Sequence, residues 1–451
     1  MNICMVGTGY VGLVAGACLS DFGMNVNCVD VEKDKIERLK KGEVPIFEMG
    51  LKELIARGVE RDRLRFSTDL AEAVDRSLVI FLAVGTPESP DGSADLSAIE
   101  RVATQIAGCM KEYKIIAIKS TVPVGTATRL KKLIKENQSQ PIDFDVVSNP
   151  EFLRQGSAVE DFLRPNRVIL GCDSERALAI MRDIYRPLYL LETPIVSTTN
   201  ETAELIKYAA NSILALKISF INEVANLCDL CGADINQVAK ALGMDKRIGP
   251  KFLHPGPGFG GSCFPKDVKS LIHIAEGFDY DFRLAKAIVE VNRRQKQVVV
   301  DKSRKLLGSF KGKRVCLLGL SFKPNTDDIR EAPAVYVAGK LLEEGAVIHA
   351  YDPAAMDAAR GELPDINYFD DAYSACEGVD LVIIMTEWNE FRDLKFTRLK
   401  AIVRTPNIYD TRNIYDGNLI KDLGFNYLST GRNIRAKAKN PVAGGEGIGV
   451  S

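Results

Sequence analysis

The sequence predicts an α/β chain: two doubly wound domains joined by a central domain built on one long helix. Three observations carry this. Through the first third, short β-rich runs at residues 2–6, 25–30, 78–84, 115–119 and 145–147 alternate with helical patterns, the alternation that builds a parallel sheet with crossover helices. From Asn200 to about Cys231, apolar residues recur at helical spacing (Leu205, Ile206, Ile213, Leu216, Phe220, Leu227) with no Gly or Pro among them, and Gly232 ends the run. One unbroken helix is expected there. The last third then repeats the order of the first: Arg314-Val315-Cys316-Leu317-Leu318-Gly319 mirrors the first strand, GAVIHAYD ending at Asp352 mirrors GMNVNCVD ending at Asp30, and VDLVIIMT ending at Thr386 mirrors the run ending at Val84. Two similar α/β domains follow as the expectation.

At about 100–200 residues per domain, 451 residues allow two or three domains. The expected limits are 1–199, 200–308 and 309–435, with a mobile tail at 436–451, where Gly444, Gly445 and Gly447 interrupt a stretch without apolar periodicity. A composition of 46% hydrophobic and 26% charged residues excludes a disordered or fibrous chain. With 59 Lys and Arg against 60 Asp and Glu, no basic field invites nucleic acid or an acidic membrane. No apolar run is long enough to span a bilayer, and Met1 to Gly7, lacking a basic stretch, reads as a strand rather than a signal peptide.

Ten cysteines raise the question of disulfides, but Cys4, Cys28 and Cys316 lie within apolar strand-like runs and a chain of this size needs no staples. A reducing cytoplasm is expected. Cys228 and Cys231 form a lone C-x-x-C late in the long helix and read as core packing, since zinc spacing needs a second pair. His254, His273 and His349 are too scattered for a His-built metal centre, so no metal is expected.

Gly7-Thr8-Gly9-Tyr10-Val11-Gly12 directly follows the first strand and opens a helix, the setting that gives the G-x-G-x-x-G pattern meaning as a dinucleotide site. Gly7 permits the tight turn, Gly9 lets the backbone approach a pyrophosphate, and Gly12 lets the helix pack closely. Asp30 ends the next strand. A carboxylate there bonds both ribose hydroxyls and repels a 2′-phosphate, so NAD is favoured over NADP; Lys35 nearby is the one residue that pulls the other way. In the second α/β domain, Gly319-Leu320-Ser321-Phe322-Lys323-Pro324 lacks the further glycines, so a second dinucleotide is not expected to bind there in this way, while another phosphorylated ligand is still permitted.

The most specific local stretch is Gly260-Gly261-Ser262-Cys263-Phe264-Pro265-Lys266-Asp267. Pro265 suits the first turn of a helix, which puts Cys263 at that helix's N-terminus, where the dipole and Lys266 favour the nucleophilic thiolate. A thiol beside an NAD site suggests oxidation of a hydroxyl through aldehyde, thiohemiacetal and thioester to an acid. Lys207 and Asn211, i and i+4 on the long helix, project from one face and could together hold an oxyanion or a water. Thr121, within STVPVGT, and Glu151, after Asn149-Pro150, follow strands at the ligand-binding carboxyl edge. Taken singly, these last four are as consistent with ordinary polar surface or turn residues.

The motifs GTGYVGL, IFEMGL, STVPVGT, NPEFLRQG, ELIKYAANS, FLHPGPGFGGSCFPKD and GLSFKPNTDDIRE, spread over nearly the whole chain, resemble those of the nucleotide-sugar 6-dehydrogenases, most closely the branch acting on UDP-glucose. The resemblance implies an N-terminal NAD-binding Rossmann domain, a central helical domain used for dimerisation, and a C-terminal Rossmann-like domain for the UDP-sugar. It implies two NAD per UDP-glucose oxidised to UDP-glucuronate and a homodimer or larger assembly. By the same resemblance the nucleophile is Cys263, the oxyanion or water pair is Lys207 and Asn211, Asp267 helps activate thiol or water, and Thr121 and Glu151 position a water, with Glu151 the acid/base in thioester hydrolysis. Cofactor contacts are implied at Val11, Asp30, Lys35, Thr86, Thr121, Gln155, Lys266 and Arg330, and sugar-nucleotide contacts at Glu151, Phe152, Leu153, Phe252, Leu253, His254, Pro255, Gly256, Gly260, Phe322 and Lys323, with Arg247 reaching a neighbouring subunit's site. Gln155 departs from the pattern, since many relatives carry Glu there. An amide keeps a hydrogen-bonding carbonyl and loses the charge, and activity is expected to survive because Glu151 remains. The alternatives are a GDP-mannose or UDP-N-acetylhexosamine substrate, a simple two-electron hydroxyacid dehydrogenase, and a non-catalytic NAD-responsive binding protein.

Overall fold

The computed structural model describes residues 1–432; the tail expected at 436–451 lies outside the described residues. Strands β1 (Asn2–Val6), β2 (Asn25–Val29), β3 (Leu64–Ser67), β4 (Val79–Leu82), β5 (Lys114–Ile118), β6 (Phe144–Ser148), β7 (Val168–Gly171) and β8 (Ile195–Thr198) form one sheet, ordered β3-β2-β1-β4-β5-β6-β7-β8. Its central strands are apolar on both faces because helices cover both sides. Pairing is parallel except at β6–β7, where the chain reverses.

A second, wholly parallel sheet comprises β9 (Arg314–Leu318), β10 (Val347–Tyr351), β11 (Asn367–Tyr368), β12 (Leu381–Ile384), β13 (Asn407–Asp410) and β14 (Asn426–Ser429), ordered β11-β10-β9-β12-β13-β14. Both sheets therefore contain the same 3-2-1-4-5-6 winding, and the sequence echo is a repeated topology. The echo extends to one carboxylate. Asp30, after β2, accepts from the Thr8 N–H at 2.8 Å and the Thr8 hydroxyl at 2.7 Å; Asp352, after β10, accepts from the N–H groups of Leu320 and Ser321 at 2.7 and 3.0 Å and from the Ser321 hydroxyl at 2.9 Å. Asp352 also takes the Trp388 indole N–H at 3.2 Å and is buried. Unlike Asp30, it is therefore closed off from solvent by the Trp388 ring.

Between the sheets runs the expected helix, Asn200–Cys231, capped at its start by the Thr199 hydroxyl and ended by Gly232 in the left-handed region at φ +80°. It packs against the helices Phe264–Glu276 and Arg283–Leu307 around Ala215, Phe259, Val268, Ala285 and Ile288. Side-chain amides of these helices hold the glycine-rich loop before Cys263: Asn222 accepts from Gly256 N–H at 2.8 Å, Gln295 donates to the Gly256 carbonyl at 2.8 Å, and Asn292 brackets Phe259 at 2.8 and 3.0 Å. Buried amides, those of Asn292 and Gln295 bonded at both ends, fix a loop that has no ladder of its own. Another long-helix residue, Glu204, accepts from the N–H groups of Gly125 and Ala127 at 2.7 and 2.8 Å, so the segment carrying Thr121 is tied to the same helix. Burial pushes Glu204 up to about 7 despite these bonds.

All ten cysteines are free. The core-packing expectation for the C-x-x-C pair holds for Cys228, which is buried, and fails for Cys231, which is exposed; three residues apart near a helix end, the two face different surroundings.

Candidate active site

At the carboxyl edge of the first sheet, Gly7 adopts φ +97° and a side chain there would strike the Ala83 carbonyl at 2.7 Å. A side chain on Gly12 would meet the Gly7 carbonyl at 1.9 Å, so the close approach it permits is helix to turn. Gly9, the N-cap of the helix Tyr10–Asp21, faces open space with nothing within 4 Å. Free N–H groups beside open space suit a pyrophosphate, and NAD fits this cradle. Val11 lies in that helix's first turn. Burial alone would raise Asp30, but the Thr8 and Glu32 bonds and Lys35 hold it below the ordinary carboxylate range. Lys35 is bound to Asp30 at 3.2 Å and Glu32 at 2.7 Å, so the cation that argued for NADP is already taken. Replacing Asp30 by Asn removes the repulsion and releases Lys35; the kcat/KM preference for NAD over NADP is expected to shrink by about tenfold or more. Equal preference before and after would refute this role. Thr86 and Thr121, on the loops after β4 and β5, are joined by a bond from the Thr86 hydroxyl to the Thr121 carbonyl at 2.8 Å.

Facing this edge are two buried ion or hydrogen-bond pairs. Lys207 donates to Glu151 at 2.9 Å, both side chains being nearly inaccessible. Asn211 donates to Asp267 at 2.6 Å, and Asp267 also takes Lys266 at 2.6 Å. Lys207 and Asn211 share a helix face, as expected, and each holds its own carboxylate, while Lys266, expected to favour the thiolate, is bound to Asp267. Cys263 is the N-cap of the helix Phe264–Glu276 with Pro265 in its first turn, as expected. Its thiol, however, is raised above its ordinary value: burial by surrounding protein contributes most, and the Glu151 and Asp267 charges outweigh Lys207. The residue is nonetheless exposed on its open side. Burial first, and the two nearby carboxylates after it, favour the thiol over the thiolate.

The Phe152 ring is stacked by Arg167 at 3.8 Å and faces Lys207 at 5.3 Å, while the Leu153 N–H donates to Glu151 at 2.5 Å. Phe252 sits at φ +64° with its ring 6.1 Å from that of Phe264. Leu253 and the segment from Pro255 to Gly260 are buried, and His254 is exposed. A side chain on Gly260 would strike the Glu331 carbonyl at 2.5 Å, and Gly261 N–H donates to the Arg330 carbonyl at 2.7 Å. The loop before Cys263 is thus clamped by the second sheet's first crossover. From that crossover, Phe322 lies against Gly261, and Lys323, whose pKa is lowered chiefly by burial and then by Arg154, is near enough to feel the Cys263 charge. Gln155 donates to Asp328 at 2.9 Å and accepts from Thr326 at 3.1 Å, and Asp328 in turn holds Arg330 at 2.7 Å. Its neutral amide therefore bridges the two α/β domains, a contact not anticipated from the sequence. Arg247 stands apart, exposed and paired with Asp245.

Sequence reasoning missed Arg412, which follows β13, donates to the carbonyls of Met385 at 2.8 Å and Phe322 at 3.2 Å, and lies beside Gly256. Its position after a strand of the second sheet was the available signal. It also missed Arg167 and the buried Lys119.

A dinucleotide cradle opening towards a helix-capping thiol and two carboxylate pairs belongs to an NAD-dependent oxidoreductase. The similarities agree: residues 1–189 match the NAD binding domain, 201–294 the central domain and 316–417 the UDP binding domain of one family. The chain is 48% identical to the UDP-glucose 6-dehydrogenase of Rhizobium meliloti, over 96% of this chain and all of that one. It is 43% identical to UDP-glucose 6-dehydrogenase TuaD of Bacillus subtilis, over 96% and 93%. Among solved structures, a UDP-glucose dehydrogenase from Pyrobaculum islandicum superposes with a TM-score of 0.89 at 37% identity, covering 95% of this chain and 96% of that one. The chain belongs to the UDP-glucose/GDP-mannose dehydrogenase family. Among the described residues, no helix is long and apolar enough to cross a membrane.

Proposed function

We propose that the protein oxidises the 6-hydroxymethyl of UDP-glucose to the carboxylate of UDP-glucuronate, using two NAD and one water, with Cys263 as covalent nucleophile. The observation that best supports this is the exposed Cys263 sulfur within the field of Lys207, Glu151 and Asp267. Bound NAD supplies the hydride acceptor for each oxidation. Cys263 adds its sulfur to the aldehyde carbon, giving a thiohemiacetal that is oxidised to a thioester. Lys207 and Asn211, on one face of the long helix, stabilise the oxyanion, and Asp267 takes the thiol proton. Glu151, with Thr121, aims a water at the thioester and accepts its proton.

On the cofactor side, Gly7, Gly9, Val11, Gly12, Asp30, Lys35, Thr86, Thr121, Gln155, Lys266 and Arg330 make contact. The sugar nucleotide meets Phe152, Leu153, the loop 252–260, Phe322 and Lys323, with Arg412 added for its cation at the same edge. Domain limits at 1–199, 200–308 and 309–435 accord with these roles. A homodimer through the long helix is favoured by Ile213, Phe220 and Leu227, which are 54%, 53% and 60% exposed at heptad spacing, and Arg247 then extends to the neighbouring copy's site. The free cysteines suit the cytoplasm. NADH formation with UDP-glucose, GDP-mannose and a UDP-N-acetylhexosamine tests the substrate. UDP-glucose should give kcat/KM at least about a hundredfold above the others, and a preference for either rival would overturn the assignment.

A further inference from the structure

Among the buried lysines outside these roles, Lys114 and Lys296 are paired with Glu112 and Glu331, and Lys119 differs from them. Lys119 directly follows β5 and is 4% exposed. Its ammonium meets three oxygens: Asn149 Oδ1 at 3.2 Å, the Asn149 carbonyl at 3.4 Å and the Tyr185 hydroxyl at 3.4 Å. Asn149 is further fixed by donating to the Ile169 carbonyl at 2.9 Å and by accepting from the Tyr185 hydroxyl at 2.6 Å. The rings of Phe162 and Tyr185 lie 5.8 and 5.9 Å from the same ammonium. Among the described residues, no carboxylate bonds to it. The charged and titratable groups facing it are Glu151 from the turn after β6, Lys207 from the long helix, and Tyr185.

We propose that Lys119 is a positioning residue for thioester hydrolysis, anchoring the turn Asn149-Pro150-Glu151 so that Glu151 is held in line with the attacking water. This rests on the role of Glu151 given above. Three N–H groups on three oxygens spend every donor an ammonium has, and two of those oxygens belong to Asn149, two residues before Glu151. For stability alone, an apolar chain of the same length would serve better than a buried cation without an ion-pair partner. In the step it serves, the water oxygen bonds to the thioester carbon while Glu151 takes the water's proton; the C–S bond then breaks, the acid departs and the sulfur recovers a proton. Burial, followed by Lys207 and opposed by Glu151, pulls Lys119 down to about 8. Above that pH the neutral amine has two N–H groups for three oxygens, and the anchor loosens.

The test uses the full chain with NAD and UDP-glucose, following the NADH burst that precedes hydrolysis, the steady-state rate and the covalent adduct by intact mass. Lys119→Met is expected to lower steady-state kcat about tenfold or more while the burst rate and both KM values stay within about threefold, with adduct accumulating. Lys119→Arg, which keeps the cation, should retain kcat within about threefold and move the alkaline limb of kcat upward from about pH 8. Unchanged turnover in Lys119→Met, or a burst slowed in step with turnover, overturns the proposal; if that variant does not fold, an unmoved alkaline limb in Lys119→Arg does so. Glu151→Gln is the reference. If it stalls with adduct while Lys119→Met turns over normally, only the role of Lys119 falls; if both turn over normally, the role of Glu151 falls with it.

Discussion

Cys263→Ser is expected to abolish acid formation, with kcat for the overall reaction falling at least about a thousandfold. A serine hydroxyl in the same place is far less acidic than a thiol, and the nearby Glu151 and Asp267 charges that already raise the thiol would disfavour an alkoxide more strongly still. What NADH the variant forms should not exceed one per sugar, because the aldehyde then has no sulfur to join. Nucleotide-sugar affinity should change little, since Cys263 contributes to reaction rather than to binding. Acid production at the parent rate would exclude the covalent route.

Lys207→Met carries the second large effect, and it touches both activity and stability. Lys207 and Glu151 are buried together at 2.9 Å, so removing the cation strands a carboxylate in the interior, at a cost of about 3–5 kcal/mol. Turnover should fall about a hundredfold or more with the loss of an oxyanion donor. Denaturant unfolding and steady-state kinetics read the two separately. The double variant Lys207→Met with Glu151→Gln should recover much of the stability and none of the activity; recovery of activity would mean that the pair is merely structural. The pH dependence has a definite sign. Burial pulls Lys207 down, but Glu151, Cys263 and Asp267 outweigh it and its folded pKa is raised. Its stabilisation is therefore fully present below the unfolded lysine value of about 10.4 and is lost as pH climbs through the raised folded value.

Local patterns carried most of the architecture. The long helix was legible because its period, its unbroken run and Gly232 all lie in consecutive sequence, and the observed bounds Asn200–Cys231 agree. The glycine turn was legible from its own spacing, since Gly12 must clear the Gly7 carbonyl within the same turn; the Ala83 carbonyl that crowds Gly7 comes from beyond β4 and could not be read from that spacing. Strands β3, β7 and β8 were missed because each is short and, unlike the equally short but continuously apolar β4, includes a polar residue or glycine that breaks the apolar run. The reversal at β7 depends on which neighbour a strand finds, and nothing in Val168–Gly171 announces it.

The candidate site divides in the same way. Helical spacing put Lys207 and Asn211 on one face, but their partners, Glu151 and Asp267, are each 56 residues distant and come from different elements. Lys266 looked available to the thiol because it is three residues from Cys263, yet the neighbouring Asp267 claims it. Gln155 read as a lost charge, whereas its amide donates to one domain partner and accepts from another, across 173 and 171 residues. Lys119 sits one residue before a recognised motif and was passed over, because burial of a lysine cannot be read from spacing.

The most direct measurement is NADH formed by the purified protein from a limiting, known amount of UDP-glucose with NAD in excess. Two NADH per sugar is the predicted result, the mark of the four-electron oxidation that the thioester route requires. One NADH per sugar would mean that the reaction ends at the aldehyde, and would contradict the thioester account.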